Sequence, residues 1–156
     1  MMKKILFLVF MCVASLALHA QSLVPVTWSA YGLTFDAPKG ILVEEETEET
    51  FLLNNSKYYI TVQSLVSDGM TKEELDGMLK DYADDDGVKE QSEIQSFELS
   101  QFYVSMLEGV CEEDRCIYAC LLSKDGGSCF YLSVIYAESE KKNAEKILNS
   151  FKMEEK

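Results

Sequence analysis

The stretch CIYACLLSKDGGSCFYLSVIY, Cys116–Tyr136, decides how this chain folds. Two runs of β-branched, aromatic and aliphatic residues flank Asp125-Gly126, a dipeptide that favours a tight hairpin because it accommodates the left-handed backbone such a turn requires. Centring the turn there pairs Leu122 with Cys129, Leu121 with Phe130 and Cys120 with Tyr131, and it sets Ile135 opposite Cys116. The run Gln101–Cys111 adds a third strand, joined through a Glu112–Arg115 loop that would bring Cys111 opposite Cys116. Side chains alternate between the faces of a sheet. One face then gathers Phe102, Val104, Met106, Val110, Ile117, Ala119, Leu121, Phe130, Leu132 and Val134, which is a core. The other gathers Tyr103, Leu107, Cys111, Cys116, Tyr118, Cys120, Leu122, Cys129 and Tyr131.

That second face carries four cysteines, for which three disulfide connectivities exist. Cys116 with Cys120 is excluded on one strand, since four residues span roughly 13 Å and a disulfide needs Cα atoms within about 7 Å. Cys116 with Cys129 is excluded by the register. Cys111–Cys116 and Cys120–Cys129 remain as the expected bonds, the second a diagonal pair that needs a bulge or extra twist. Each would contribute roughly 2–3 kcal/mol through chain entropy. The rival reading, a redox or metal site, lacks a Cys-x-x-Cys spacing or a histidine partner.

Outward from the hairpin, the period of the apolar residues predicts one alternating α+β domain. Trp28–Phe35 and Ile41–Glu45 read as strands separated by the Pro38-Lys39-Gly40 turn. Thr50–Leu53 and Lys57–Val66 read as a hairpin around Asn54-Asn55-Ser56. Leu75, Met78, Leu79 and Tyr82 recur at helical spacing, with Thr71 and Glu74 as a capping box and Gly87 as the stop. Glu93–Leu99 is a further strand, and a last helix covers Ser139–Phe151.

Residues 1–20 read as a secretory signal peptide: Lys3-Lys4, an apolar run from Ile5 to Leu18, and a cut after Ala20. Lipidation at Cys12 fits poorly, because Val9-Phe10-Met11 are not the small residues such processing needs. The expected product is a periplasmic or secreted single domain, residues 21–156, with no membrane insertion after cleavage. It holds no histidine, since His19 is the only one in the chain. Without Lys3 and Lys4, 12 basic side chains face 27 acidic ones, a net charge of −15. With Arg115 as its one arginine, such a chain is a poor ligand for nucleic acid or anionic lipid.

Absent chemistry bounds the function. Lack of histidine removes Ser-His and Cys-His nucleophile pairs and His-ligated zinc. Neither phosphate-binding loops nor dinucleotide fingerprints are present. Asp81, Asp84, Asp85 and Asp86 do not follow the order of a Ca²⁺ loop, and Glu44, Glu45, Glu46, Glu48 and Glu49 read as a solvated loop, so no metal and no cofactor is expected. The expectation is a non-catalytic exported module that binds an unknown protein or small ligand. Tyr103, Tyr118 and Tyr131 are its candidate contact residues, because tyrosine joins apolar area to a polar tip. The alternative is that the helix from Thr71 to Asp85 covers those rings. Two other functions stand beside this one: a small hydrolase using two carboxyl groups about 5 to 9.5 Å apart, and an inhibitory protein acting through the Glu112–Arg115 loop.

Tyr31-Gly32-Leu33-Thr34-Phe35-Asp36-Ala37-Pro38-Lys39-Gly40 and the closing Ile147-Leu148-Asn149-Ser150-Phe151 resemble the first strand-and-turn and the terminal helix of PsbP-like proteins, relatives of an extrinsic photosystem subunit. The resemblance implies an α/β/α sandwich with a central antiparallel sheet and a C-terminal helix, serving as an accessory or binding module. No functional residue of that family transfers to a position here.

Overall fold

The computed structural model describes residues 22–154; the expected signal peptide, with Cys12 and His19, lies outside them. Two antiparallel sheets and two α-helices form an α+β fold. The larger sheet has seven strands, in spatial order β3-β4-β5-β9-β8-β7-β6. They are β3 (Leu42–Glu46), β4 (Thr50–Asn54), β5 (Tyr58–Leu65), β6 (Gln95–Glu98), β7 (Phe102–Cys111), β8 (Asp114–Ser123) and β9 (Cys129–Tyr136). β1 (Leu23–Trp28), β2 (Leu33–Pro38) and β10 (Lys152–Met153) make the smaller sheet, with β2 central. The helices are α1 (Leu75–Asp85) and α2 (Lys141–Asn149), each entered through a short 3-10 turn. No helix among the described residues is long and apolar enough to cross a membrane.

The β8–β9 register is the one the sequence predicts: Leu122 faces Cys129, Leu121 faces Phe130, and Cys116 faces Ile135. Asp125 organises the turn. Its Oδ1 accepts from Ser123 Oγ at 2.7 Å and from Gly127 N at 2.8 Å, while Gly126 takes φ +76°. One face of the large sheet packs against the small sheet and α2 around Trp28, Phe35, Phe51, Ile117, Phe130 and Ile147. The opposite face packs under α1. The expected layering around a central antiparallel sheet holds, with the small sheet sharing one outer layer with α2.

Three expectations are corrected at the termini and turns. Trp28–Phe35 is two strands, because Gly32 (φ +62°) reverses the chain and makes Trp28 and Leu33 cross-strand partners. Both are fully buried, so Trp28 is a core residue, its indole Nε1 donating to Thr47 O at 2.7 Å. The last helix stops at Asn149: Ser150 Oγ donates to Ile147 O at 2.7 Å and accepts from Asp36 N at 2.7 Å, and Lys152–Met153 pair with β2. The Glu112–Arg115 loop is tighter than read, since Asp114 and Arg115 belong to β8 and Glu112 adopts φ +57°. Cys111 accordingly faces Asp114, and Gly109 faces Cys116.

Candidate functional site

α1 determines which part of the tyrosine-bearing face is accessible. Leu75, Leu79 and Ala83 recur every fourth residue and are buried against β7 and β8. Thr71 makes no side-chain cap, so the capping box does not form; the 3-10 turn enters instead, with Glu74 N donating to Thr71 O at 3.1 Å. Gly87 (φ +73°) ends α1, with Val88 N donating to Ala83 O and Gly87 N to Asp84 O, each at 3.0 Å. This paired closure satisfies carbonyls a helix end would otherwise leave open.

Beneath α1, Tyr118 and Tyr131 are only 3 % and 4 % exposed, so the expectation that they form a contact surface is corrected. Tyr82 stacks over Tyr131 at 4.5 Å between centroids, closing the cover. Both buried hydroxyls donate to one oxygen, Asp86 Oδ2, at 2.8 Å from Tyr118 and 2.9 Å from Tyr131. Burial, reinforced by that carboxylate, pushes both phenols above their ordinary pKa. Asp86 is one of the four aspartates whose order does not match a Ca²⁺ loop. Two phenols placed under a helix demand an acceptor, and that demand was the signal available in the sequence. Asp84 is held by Lys80 Nζ at 2.7 Å and by Gln91 Nε2 at 2.9 Å.

The four cysteines stand as free thiols, which corrects the expected disulfides Cys111–Cys116 and Cys120–Cys129. The tighter turn makes Cys111 and Cys116 diagonal neighbours, with sulfurs 2.9 Å apart against about 2.05 Å for a bond. Cys116, hydrogen-bonded to Cys111, holds the Cys111 thiol below its ordinary pKa, with help from Tyr118 and against partial burial. Cys129 packs against Met70, its sulfur 3.5 Å from the thioether, and burial pushes its thiol up to about 11.

Tyr103 packs against the edge of the cluster under α1 and is half-buried. Two ammonium groups lie near its ring, Lys72 Nζ at 5.2 Å and Lys124 Nζ at 5.8 Å from the centroid. Cations over an aromatic face are attracted by its quadrupole. Lys124 also pairs with Glu98 at 3.4 Å. The ring forms one wall of a groove of about 420 Å³ between the entry of α1 and strands β6 and β7. Phe97 supplies further apolar lining, and the floor is polar: Ser105, 2 % exposed, donates to Asp76 Oδ1 at 2.6 Å. No histidine lies in residues 22–154, so Ser105 and Asp76 have no imidazole to make the hydroxyl a nucleophile. Among the described residues no three His, Cys, Asp or Glu side chains converge as metal ligands. The groove joins an aromatic wall to one lysine, Lys72, to the carboxylates Glu73, Asp76 and Glu98, and to the buried Ser105 hydroxyl.

The two-sheet, two-helix fold is a mixed α+β architecture shared with solved Mog1 structures. The chain is similar to the crystal structure of the Saccharomyces cerevisiae Ran-binding protein Mog1p, with TM-score 0.58 and 11 % identity over 85 % of this chain and 96 % of that one. It is equally similar to a glutamate-to-alanine mutant of protein Mog1, with TM-score 0.57 and 12 % identity over the same shares. At such identity the likeness shows the fold alone. By sequence, the chain belongs to the dihydro-orotase-like family, whose model matches residues 3–140. No curated protein matches it in sequence.

These findings overturn the PsbP-like resemblance. Its leading motif straddles the Gly32 reversal, and its closing motif ends where β10 is about to begin. The periplasmic or secreted setting is corrected with it, since the structures the chain is similar to are those of Mog1, the yeast protein being described as Ran-binding.

Proposed function

We propose that this chain is a non-catalytic module that binds a protein partner, with Tyr103 at the contact. The observation that carries the reading is the position of that ring. Of the three candidate tyrosines it alone is not buried, and it lines a groove with two lysine ammonium groups 5.2 and 5.8 Å from its ring centroid. Tyrosine is enriched among the few residues that carry most of the binding energy at protein interfaces. The kinship in fold with a protein described as Ran-binding supports a binding role, and a Ser105–Asp76 pair lacking imidazole supports the absence of catalysis.

The test is photocrosslinking in the native host, with p-benzoylphenylalanine at Tyr103 and, as control, at the exposed Lys142 of α2. A discrete adduct from position 103, lost in the Lys72→Glu/Lys124→Glu variant and absent from position 142, is expected. Equal crosslinking at both positions would overturn the contact. The family name supplies a separate check: turnover of dihydro-orotate by the purified chain, abolished in Asp76→Asn, would overturn the non-catalytic reading.

A further inference from the structure

The face of the large sheet that α1 covers over β7 and β8 continues uncovered across β5, β4 and β3. The register fixes what stands there. One row runs Leu42, Asn54, Tyr59, Ile135, and the next runs Glu45, Leu52, Thr61, each residue facing its neighbour on the adjoining strand. Phe51, Leu53 and Ile60 alternate with these and are buried on the other side. Leu42 is 67 % exposed and Tyr59 43 %, while Leu52 and Ile135 are half-buried. A hollow of about 200 Å³ opens beside Tyr59 and Ile135, with Asp114 on its rim.

Charge at the margins has one dominant sign. Glu44 and Glu45 are exposed on β3, at a bulge between Val43 and Glu45. Asp86, at the end of α1, reaches across to Tyr131, whose β5 neighbour is Gln63. Lys57 lines the hollow but is engaged by Glu140 at 3.4 Å. β3 is also the sheet's edge, paired only with β4. Carboxylates and a bulge on an edge strand discourage pairing with a like-charged copy, and a second molecule of net charge −13 is repelled outright. A cationic segment laid on the open face, not paired at the edge, avoids both the repulsion and the bulge.

We infer that this open face is a docking surface for an extended, lysine- or arginine-rich segment of a partner protein. Apolar side chains of that segment lie over Leu42, Leu52 and Tyr59, and its cations meet Glu44, Glu45 and Asp114. The surface is separate from the Tyr103 groove, and its evidence is independent of that groove.

The probe is a fluorescein-labelled heptapeptide alternating lysine with valine and phenylalanine, measured by polarisation against the full chain. A peptide of the same charge with serine at the apolar positions is the comparison. The alternating peptide is expected to bind at least ten-fold more tightly than the serine peptide. Leu42→Ser/Tyr59→Ser and Glu45→Lys should each weaken it ten-fold or more, and Glu145→Lys on α2 less than two-fold. Hydrogen exchange should slow at residues 42–45 on binding. Equal affinity for the serine peptide, or equal weakening by Glu145→Lys, would reduce the effect to the chain's overall field and overturn the inference. Self-association lost in Leu42→Ser/Tyr59→Ser would assign the face to a second copy and overturn it too.

Discussion

The Tyr131 hydroxyl donates to Asp86 Oδ2 at 2.9 Å, so the residue that follows α1 is fastened to the middle of β9. Tyr118 on β8 donates to the same oxygen, which makes one carboxylate the tie between a helix end and two strands. Asp86→Ala strands two nearly buried phenols and should cost about 2–3 kcal/mol, the range for leaving buried donors without their acceptor. Asp86→Asn keeps an oxygen in place and should cost less than half as much. Urea unfolding of the two variants checks this. Equal stability for Asp86→Ala and the parent would mean that water replaces the carboxylate without loss.

The same phenols set an alkaline limit. Tyr58, Tyr118 and Tyr131 all have pKa values raised above the ordinary 10, burial being the largest cause and a carboxylate partner the next for Tyr58 and Tyr118. Below pH 10 these tyrosines are protonated whether folded or unfolded, and their contribution is fully present. Above it the unfolded chain releases protons that the folded chain retains, so stability falls as pH rises toward the folded values. The melting temperature should fall as pH rises past about 10, less steeply in Tyr118→Phe/Tyr131→Phe. An equal drop in that variant would place the alkaline transition elsewhere.

What could be read in advance follows from where the determinants lie along the chain. Asp125-Gly126 fixed the β8–β9 register because the hydrogen bonds that close the turn all come from residues 123–128. The faces followed, since alternation is local. The Gly32 reversal escaped notice because Tyr31, Leu33 and Phe35 alternate as one strand would; only the pairing of β2 with β10, about 120 residues later, shows β2 to be central. Tyr103 and Tyr118 share a face in sequence, and only the length and placement of α1 separate the open ring from the buried one. The open sheet face at Leu42 and Tyr59 was hidden for a similar reason: Ile41–Glu45 reads as a strand, but its place at the sheet edge depends on which strands pair with it.

Gly109 marks a close approach of two backbones. A Cβ built on it would lie 2.4 Å from Val88 Cγ1 and 2.9 Å from Lys89 O, where Lys89 and Val110 exchange backbone hydrogen bonds of 2.9 and 2.8 Å. Gly109→Ala should therefore destabilise by about 1–3 kcal/mol, as overpacking does. Adding Val88→Ala relieves the side-chain clash but not the carbonyl contact. The double variant should recover part of the loss relative to the sum of the singles, a coupling that a double-mutant cycle measures. Strict additivity would show that the strand shifts away from the segment instead.

The thiols provide the last prediction, which also reads out the cover of α1. Cys111 is half-exposed and its pKa is lowered by its hydrogen bond with Cys116, so more of it is thiolate at neutral pH. Cys120 and Cys129 are buried and their pKa values are raised, burial being the chief cause in both. Cys116 is buried and raised, its hydrogen bond with Cys111 being the largest cause. Because the thiolate is the nucleophile, iodoacetamide at pH 7 should modify Cys111 first among the four described cysteines of the folded chain. Cys116, Cys120 and Cys129 should react only once urea removes α1 and opens the sheet. Cys116→Ala removes the partner that lowers the Cys111 pKa and should slow its alkylation at pH 7, the difference fading by pH 9.5 as both forms become thiolate. Peptide mapping over time reads each site separately. Labelling of Cys120 or Cys129 at the rate of Cys111 in the folded chain would show that α1 does not shield that face, and the assignment of Tyr118 and Tyr131 to the interior would fall with it.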